Sequence, residues 1–213
     1  MSALTRPSLV LVTDGARLHG RALEDVVRIA VAGGVQVVQL REKSLSHDAL
    51  VELGGRVRDA IAGRALFIVN GDVDAAIALG ADGVHLPEDG AAIADVRARV
   101  GPDVLISRAV HSVLAAVRAE SEGADMVQLG TVFETASKPG REPIGIAGVR
   151  AVCAAVRIPV IAIGGITATN TGDVFAAGAS GVAVIGAIFD GDEPRASAAA
   201  LRVAIDAAVA SKA

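Results

Sequence analysis

The sequence predicts a single-domain (β/α)8 TIM barrel of the α/β class across residues 1–213, and three observations carry that expectation. Short β-branched runs alternate eight times with longer Ala-rich segments of helical period, the pattern of βα units feeding a parallel sheet. The phrases AGGVQVVQL, LGADGVHL and EGADMVQLG, with AGASGVAVIG as a fourth, put a helix-closing glycine just ahead of a buried strand. A chain of 213 residues also suits one closed barrel better than two domains.

The elements follow in order. Strands are expected at 9–13, 35–40, 66–69, 83–86, 105–109, 126–129, 160–163 and 182–185, each a short apolar run bounded by turn residues. Helices are expected near 21–32, 46–62, 73–79, 91–99, 112–122, 146–156, 169–177 and 193–210, where apolar residues recur at helical spacing. The 52% hydrophobic content then reads as a buried parallel core, because charged residues interrupt every apolar stretch that approaches membrane-spanning length. A formal charge of -4 gives no basic footprint, so a nucleic-acid partner is not expected, and neither is a membrane. The only cysteine, Cys153, allows no internal disulfide, and the first residues hold no long apolar run, so a cytoplasmic protein is expected.

In such a barrel chemistry gathers where strands end and βα loops begin. The glycine-rich ends of strands seven and eight, Gly164-Gly165-Ile166 and Gly186-Ala187, suit a phosphate cradle, since small residues let backbone N–H groups approach an anion. Gln39, Arg41 and Lys43 stand two apart as strand two ends, so they point the same way. Two cations there call for a facing anion, and Glu42 could supply one only if the strand twists. Loop six, from Thr131 to Pro143, is long and carries Thr135, Ser137, Lys138 and Arg141, which fits a lid closing over a phosphorylated ligand. His111, opening a helix that Ser112 would cap, is the best-placed proton carrier. His85 suits a core role, and His19 and His47 read as surface. Asp72, Asp74, Glu88 and Asp89 gather at the ends of strands three and four, where carboxylates could hold magnesium with a diphosphate, although Asp74 suits a cap or a solvated position.

Gln39-Leu-Arg-Glu-Lys43, Ile68-Val-Asn-Gly-Asp-Val-Asp74, Gly80-Ala-Asp-Gly-Val-His-Leu86, His111, Gly130-Thr-Val-Phe-Glu-Thr135, Lys138 and Val160-Ile-Ala-Ile-Gly-Gly-Ile166 resemble the thiamine-phosphate synthase and TenI superfamily over nearly the whole chain. The resemblance implies a barrel acting on thiazole phosphate. Asn70-Gly71, Leu86-Pro87, Val110-His111-Ser112 and Val132-Phe-Glu-Thr135 look like the TenI branch, and glycine stands at Gly71 and Gly90 where the synthase pattern has magnesium-binding aspartates. Gln39, Arg41 and Lys43 keep the fuller synthase form.

The main expectation by that resemblance is therefore an isomerase, a thiazole tautomerase that aromatises a carboxythiazole phosphate through a proton shift at His111 without metal or other cofactor. Gln39, Arg41, Lys43, Asn70, Thr135, Ser137 and Lys138 would bind its phosphorylated thiazole. The alternative is a transferase, thiamine-phosphate synthase, joining hydroxymethylpyrimidine diphosphate to thiazole phosphate with magnesium. Asp72 and Asp89, each one residue displaced, are then the candidates to replace the missing aspartates. A third reading is a regulatory barrel that binds a phosphorylated ligand without turnover. Assembly into a homo-oligomer is compatible with each.

Overall fold

The computed structural model describes residues 8–135, 140 and 142–211. Among these, eight parallel strands close into one barrel in strict sequence order, β1 pairing with both β2 and β8. The strands are β1 (Ser8–Val12), β2 (Val37–Leu40), β3 (Leu66–Asn70), β4 (Gly83–Leu86), β5 (Leu105–Val110), β6 (Met126–Leu129), β7 (Val160–Ile163) and β8 (Gly181–Val184). The helices are α1 (Leu23–Ala32), α2 (His47–Ile61), α3 (Val73–Ala78), α4 (Ile93–Val100), α5 (Val113–Ser121), α6 (Gly145–Ala155), α7 (Thr171–Ala176), α8 (Gly186–Phe189) and α9 (Pro194–Ala210). The expected barrel is thus present. It departs from expectation at β2, which starts at Val37, and at α8, a single turn in what read as the connection after the last strand.

The recurring phrases have a structural job. Gly80, Gly123 and Gly178 adopt positive φ as their helices end, which a Cβ would resist. The polar residue that follows then reaches back to the start of the preceding strand: Asp82 accepts from the Phe67 amide at 2.7 Å and Asp125 from the Ile106 amide at 2.7 Å. Gln36 does the same for Leu9 at 3.3 Å. Three of the four repeats therefore satisfy a backbone donor at the bottom of the barrel while launching the next strand.

Strand alternation divides the apolar residues into two layers. Val10, Val37, Ile68, Met126, Ile161 and Ala183 fill the barrel interior, while Leu9, Leu11, Val38, Leu40, Val69, Val127 and Val182 face the helices. Toward the carboxyl ends of the strands the inward positions turn polar. Gln39, His85, Ser107 and Gln128 are buried there, and that change of character floors the site.

Candidate active site

A cavity of about 510 Å³ opens at the carboxyl end of the barrel, within the size range of small-molecule sites. Gln39, Arg41, Lys43, Asn70, His111, Thr135, Gly164, Gly165, Ile166, Gly186 and Ala187 all line it, so the fold brings together every expected binding or catalytic residue that it describes. Ser137 and Lys138 lie outside the described residues, as does Arg141 of the expected lid.

The floor is a set of buried polar groups that satisfy one another. The Gln39 amide nitrogen donates to Asn70 Oδ1 at 3.2 Å, and the His85 ring meets Ser107 Oγ at 2.9 Å through Nδ1. His85, placed as core by the sequence, is buried and also lines the cavity.

At the end of β2, Arg41 and Lys43 project from the loop just past the strand and line the cavity. Glu42 between them turns the other way, toward β1, and so does not face the cations. Its carboxylate accepts the Thr13 hydroxyl at 2.6 Å and the Gly15 amide at 2.8 Å, while Thr13 Oγ1 accepts the Arg41 amide at 2.9 Å. This braces the backbone that carries the two cations and leaves their charge directed at the cavity.

The β4 and β5 ends are joined by a contact that sequence reasoning missed. His111 Nδ1 is hydrogen-bonded to the Glu88 carboxylate, and both side chains line the cavity. Glu88 sits in a tight turn closed by the Gly90 amide on the Pro87 carbonyl at 2.9 Å. Arg108, buried on the outer face of β5, clamps that turn by donating to the carbonyls of Pro87 at 2.7 Å and Ala91 at 2.6 Å. Burial pulls the Arg108 guanidinium below its ordinary pKa. As expected, Ser112 caps the following helix, its hydroxyl accepting the Ala115 amide at 3.1 Å.

The opposite rim is made of backbone. Gly164 and Gly165 hold φ of +104° and +66°, and loop six passes directly over them. A Cβ on Gly165 would lie 2.5 Å from the Glu134 carbonyl oxygen, and one on Gly164 would lie 2.7 Å from Thr131 Cγ2. At the eighth strand end, a Cβ on Gly186 would lie 2.4 Å from an Asp190 oxygen. Arg17, which lines the same part of the cavity, is gripped by both Asp190 oxygens at 2.7 and 2.6 Å and by Asp14 at 3.3 Å. The Asp190 hydrogen bond raises the Arg17 pKa and keeps the guanidinium charged.

The displaced carboxylates do not come together. Asp72 caps α3 through the Ala75 amide at 2.8 Å and pairs with His47 at 2.8 Å, and Asp74 pairs with Arg99 on α4. Neither Asp72 nor Asp89 lines the cavity. A Cβ on Gly90 would lie 2.9 Å from the Pro87 ring, so a longer side chain there needs the turn to shift. Among the described residues no group of three or more acidic, His or Cys side chains is placed to hold a metal.

A family model described as thiamine monophosphate synthase matches residues 9–188. The chain belongs to this TMP-TENI family. It is 47% identical over 204 residues to a thiamine-phosphate synthase of Methanoculleus marisnigri, covering 95% of this chain and 97% of the relative. It is 43% identical over 202 residues to a thiamine-phosphate synthase of Haloquadratum walsbyi, covering 93% and 91% respectively. The solved thiamine phosphate pyrophosphorylase of Pyrococcus furiosus superposes with a TM-score of 0.86 at 33% identity, covering 95% of this chain and 96% of that one. A 3-hexulose-6-phosphate synthase at 21% identity and a TM-score of 0.69 shows the barrel alone.

These relatives overturn the expected tautomerase branch, and with it the isomerase. The physical reason lies in where the branch markers sit. Gly71 occupies a turn at φ +81°, Pro87 packs on Gly90, Ser112 is a helix cap, and Val132 and Phe133 pair with the backbone of Ile163 and Gly164. Those residues report how loops are built on this barrel. Gln39, Arg41 and Lys43, where the sequence resembles the synthase form, line the cavity.

Proposed function

We propose that this protein is a thiamine-phosphate synthase, a transferase that joins hydroxymethylpyrimidine diphosphate to thiazole phosphate and releases diphosphate. The observation that carries the reading is the identity of 47% to a synthase over nearly the full length of both chains, with the cationic side chains kept on the cavity wall. The cavity supports two substrate positions. Arg41 and Lys43, with Gln39 and Asn70 on the same cavity wall, suit the diphosphate, because cationic donors bind its charge through charge-assisted hydrogen bonds. Gly164, Gly165, Ile166, Gly186 and Ala187 suit the thiazole phosphate, with the Arg17 guanidinium beside them to offset Asp190. Thr135 lines the same cavity. His111 is the group placed to hold or give a proton at the departing diphosphate.

No helix among the described residues is long and apolar enough to cross a membrane. The test is to supply the purified protein with both substrates and magnesium, and to follow thiamine phosphate and diphosphate by chromatography. Stoichiometric formation of the two products is expected. Failure to form thiamine phosphate, with binding of thiazole phosphate intact, would leave a binding barrel without turnover in its place.

A further inference from the structure

Glu88 lies outside the groups assigned to either substrate, yet the fold spends a buried arginine, Arg108, on the turn that places it. The turn that carries it is closed by Gly90 and clamped through the carbonyls of Pro87, Glu88 and Ala91 by the buried Arg108. Its carboxylate is then delivered to His111 Nδ1 at the cavity wall. An ionised carboxylate only accepts hydrogen bonds, so this contact puts a proton on Nδ1 and routes any chemistry of the ring through Nε2.

We propose that Glu88 is a positioning residue that holds His111 as the acid for the departing diphosphate; this rests on the synthase reading above. In the step, the bond from the pyrimidine methylene carbon to the diphosphate oxygen breaks and its electron pair leaves with that oxygen. The thiazole nitrogen lone pair forms the new carbon–nitrogen bond, and the Nε2 proton of the doubly protonated ring passes to the departing diphosphate. The ring is left neutral with its remaining proton on Nδ1, still donated to Glu88, and water restores the other. The charged and titratable groups that share the wall are His85 from β4, Glu134 beyond β6, Arg41 and Lys43 beyond β2, and Arg17 and Asp190 at the mouth. Arg41 and Lys43 offer diffuse positive charge, whereas the Glu88-held ring offers a directed donor to the atom where charge develops.

The test compares wild type, Glu88→Gln, Glu88→Asp and His111→Gln in the full chain, using the natural pyrimidine diphosphate and an analogue with a difluoromethylene bridge. The analogue leaves as a weaker base and needs less help from an acid. Glu88→Gln should lower kcat on the natural substrate by about 10-fold, part of the roughly 10²-fold expected for His111→Gln. KM for both substrates should stay within about twofold. The loss on the analogue should be clearly smaller, Glu88→Asp should recover part of the rate, and ¹⁵N spectra should show Nδ1–H in wild type and mixed tautomers in Glu88→Gln. An active wild type with a full-rate Glu88→Gln, or with equal losses on both substrates and an unchanged tautomer, overturns the positioning role alone. A wild type that makes no thiamine phosphate from either substrate overturns the synthase reading together with it.

Discussion

The two rims of the cavity are built from different material. On the β2 to β5 side the surface offered to a ligand is side chains: Arg41, Lys43, Asn70, Glu88 and His111 reach inward from strand ends and loops. On the β7 to β8 side backbone dominates, because a Cβ on Gly164 or Gly165 would collide with loop six. The difference teaches where this molecule can be altered. A side-chain rim can change its chemistry while the barrel beneath stays closed, whereas a backbone rim shares its atoms with the packing of loop six, so that binding and folding are one problem there.

The sharpest way to break that comparison is Gly165→Ala. The methyl group would need φ of +66° in an L residue, which costs about 1–2 kcal/mol. It would also meet the Glu134 carbonyl at 2.5 Å and the Phe133 Cβ at 2.7 Å, so loop six must move. We expect a stability loss of about 3 kcal/mol, within the range of strained and overpacked sites, with binding of thiazole phosphate lost as well. Urea unfolding with parallel calorimetric titration checks both; an unchanged midpoint would show that the rim is not shared with the fold.

Arg41→Met tests the opposite rim. Removing one charge-assisted contact should lower kcat/KM for the pyrimidine diphosphate by roughly 10- to 100-fold, the equivalent of about 1.5–3 kcal/mol. Because the Arg41 backbone is braced independently through Thr13 and Glu42, the unfolding midpoint should hardly change. If thiazole phosphate binding fell instead, the assignment of the two substrates to the two rims would be reversed.

The contrast also explains what could be read from the sequence. The barrel was legible because period and repeats are local signals, and the repeated Asp82 and Asp125 do the same local job twice. The rim residues were legible because strand ends are where such a fold exposes chemistry. Three contacts were hidden by distance along the chain. His111 and Glu88 are 23 residues apart, Thr13 and Glu42 are 29 apart, and Arg17 and Asp190 are 173 apart. Nothing in residue type announces such partners before the barrel closes. Arg108 was hidden for another reason: alternation sends it to the helix-facing layer, where an arginine is unexpected, and its purpose appears only with the carbonyls it binds. The reaction branch differs from expectation because Gly71, Pro87 and Ser112, which carry the resemblance to the TenI branch, serve turns and a cap.

A smaller effect is expected where the side-chain rim is tied together at its outer edge. His47, the first residue of α2, bonds Asp72 at 2.8 Å, and Asp72 caps α3, so the pair links the connection that carries Arg41 and Lys43 to the one that carries Asn70. The Asp72 hydrogen bond raises the His47 pKa, aided by the nearby charges of Asp72, Asp48 and Asp74 against a small opposing effect of burial. Burial pushes Asp72 upward, but the Ala75 amide, His47 and the Asp74 amide outweigh it and leave its pKa lowered. The signs then define a window. A raised imidazole stabilises the fold fully below its ordinary range and loses that contribution as pH climbs through the raised value; a lowered carboxylate stabilises above its ordinary range and loses it as pH falls through the lowered value. Both contributions are present only between the ordinary carboxylate and imidazole ranges. His47→Gln should therefore lower the melting temperature slightly within that window and less on either side, and the difference should shrink in about 1 M salt, where exposed charges are screened within about 3 Å. Thermal unfolding of wild type and variant across pH, at low and high salt, checks this. A difference that stays flat across pH would show that the two connections are tied by α2 and α3 packing, with the ion pair contributing nothing.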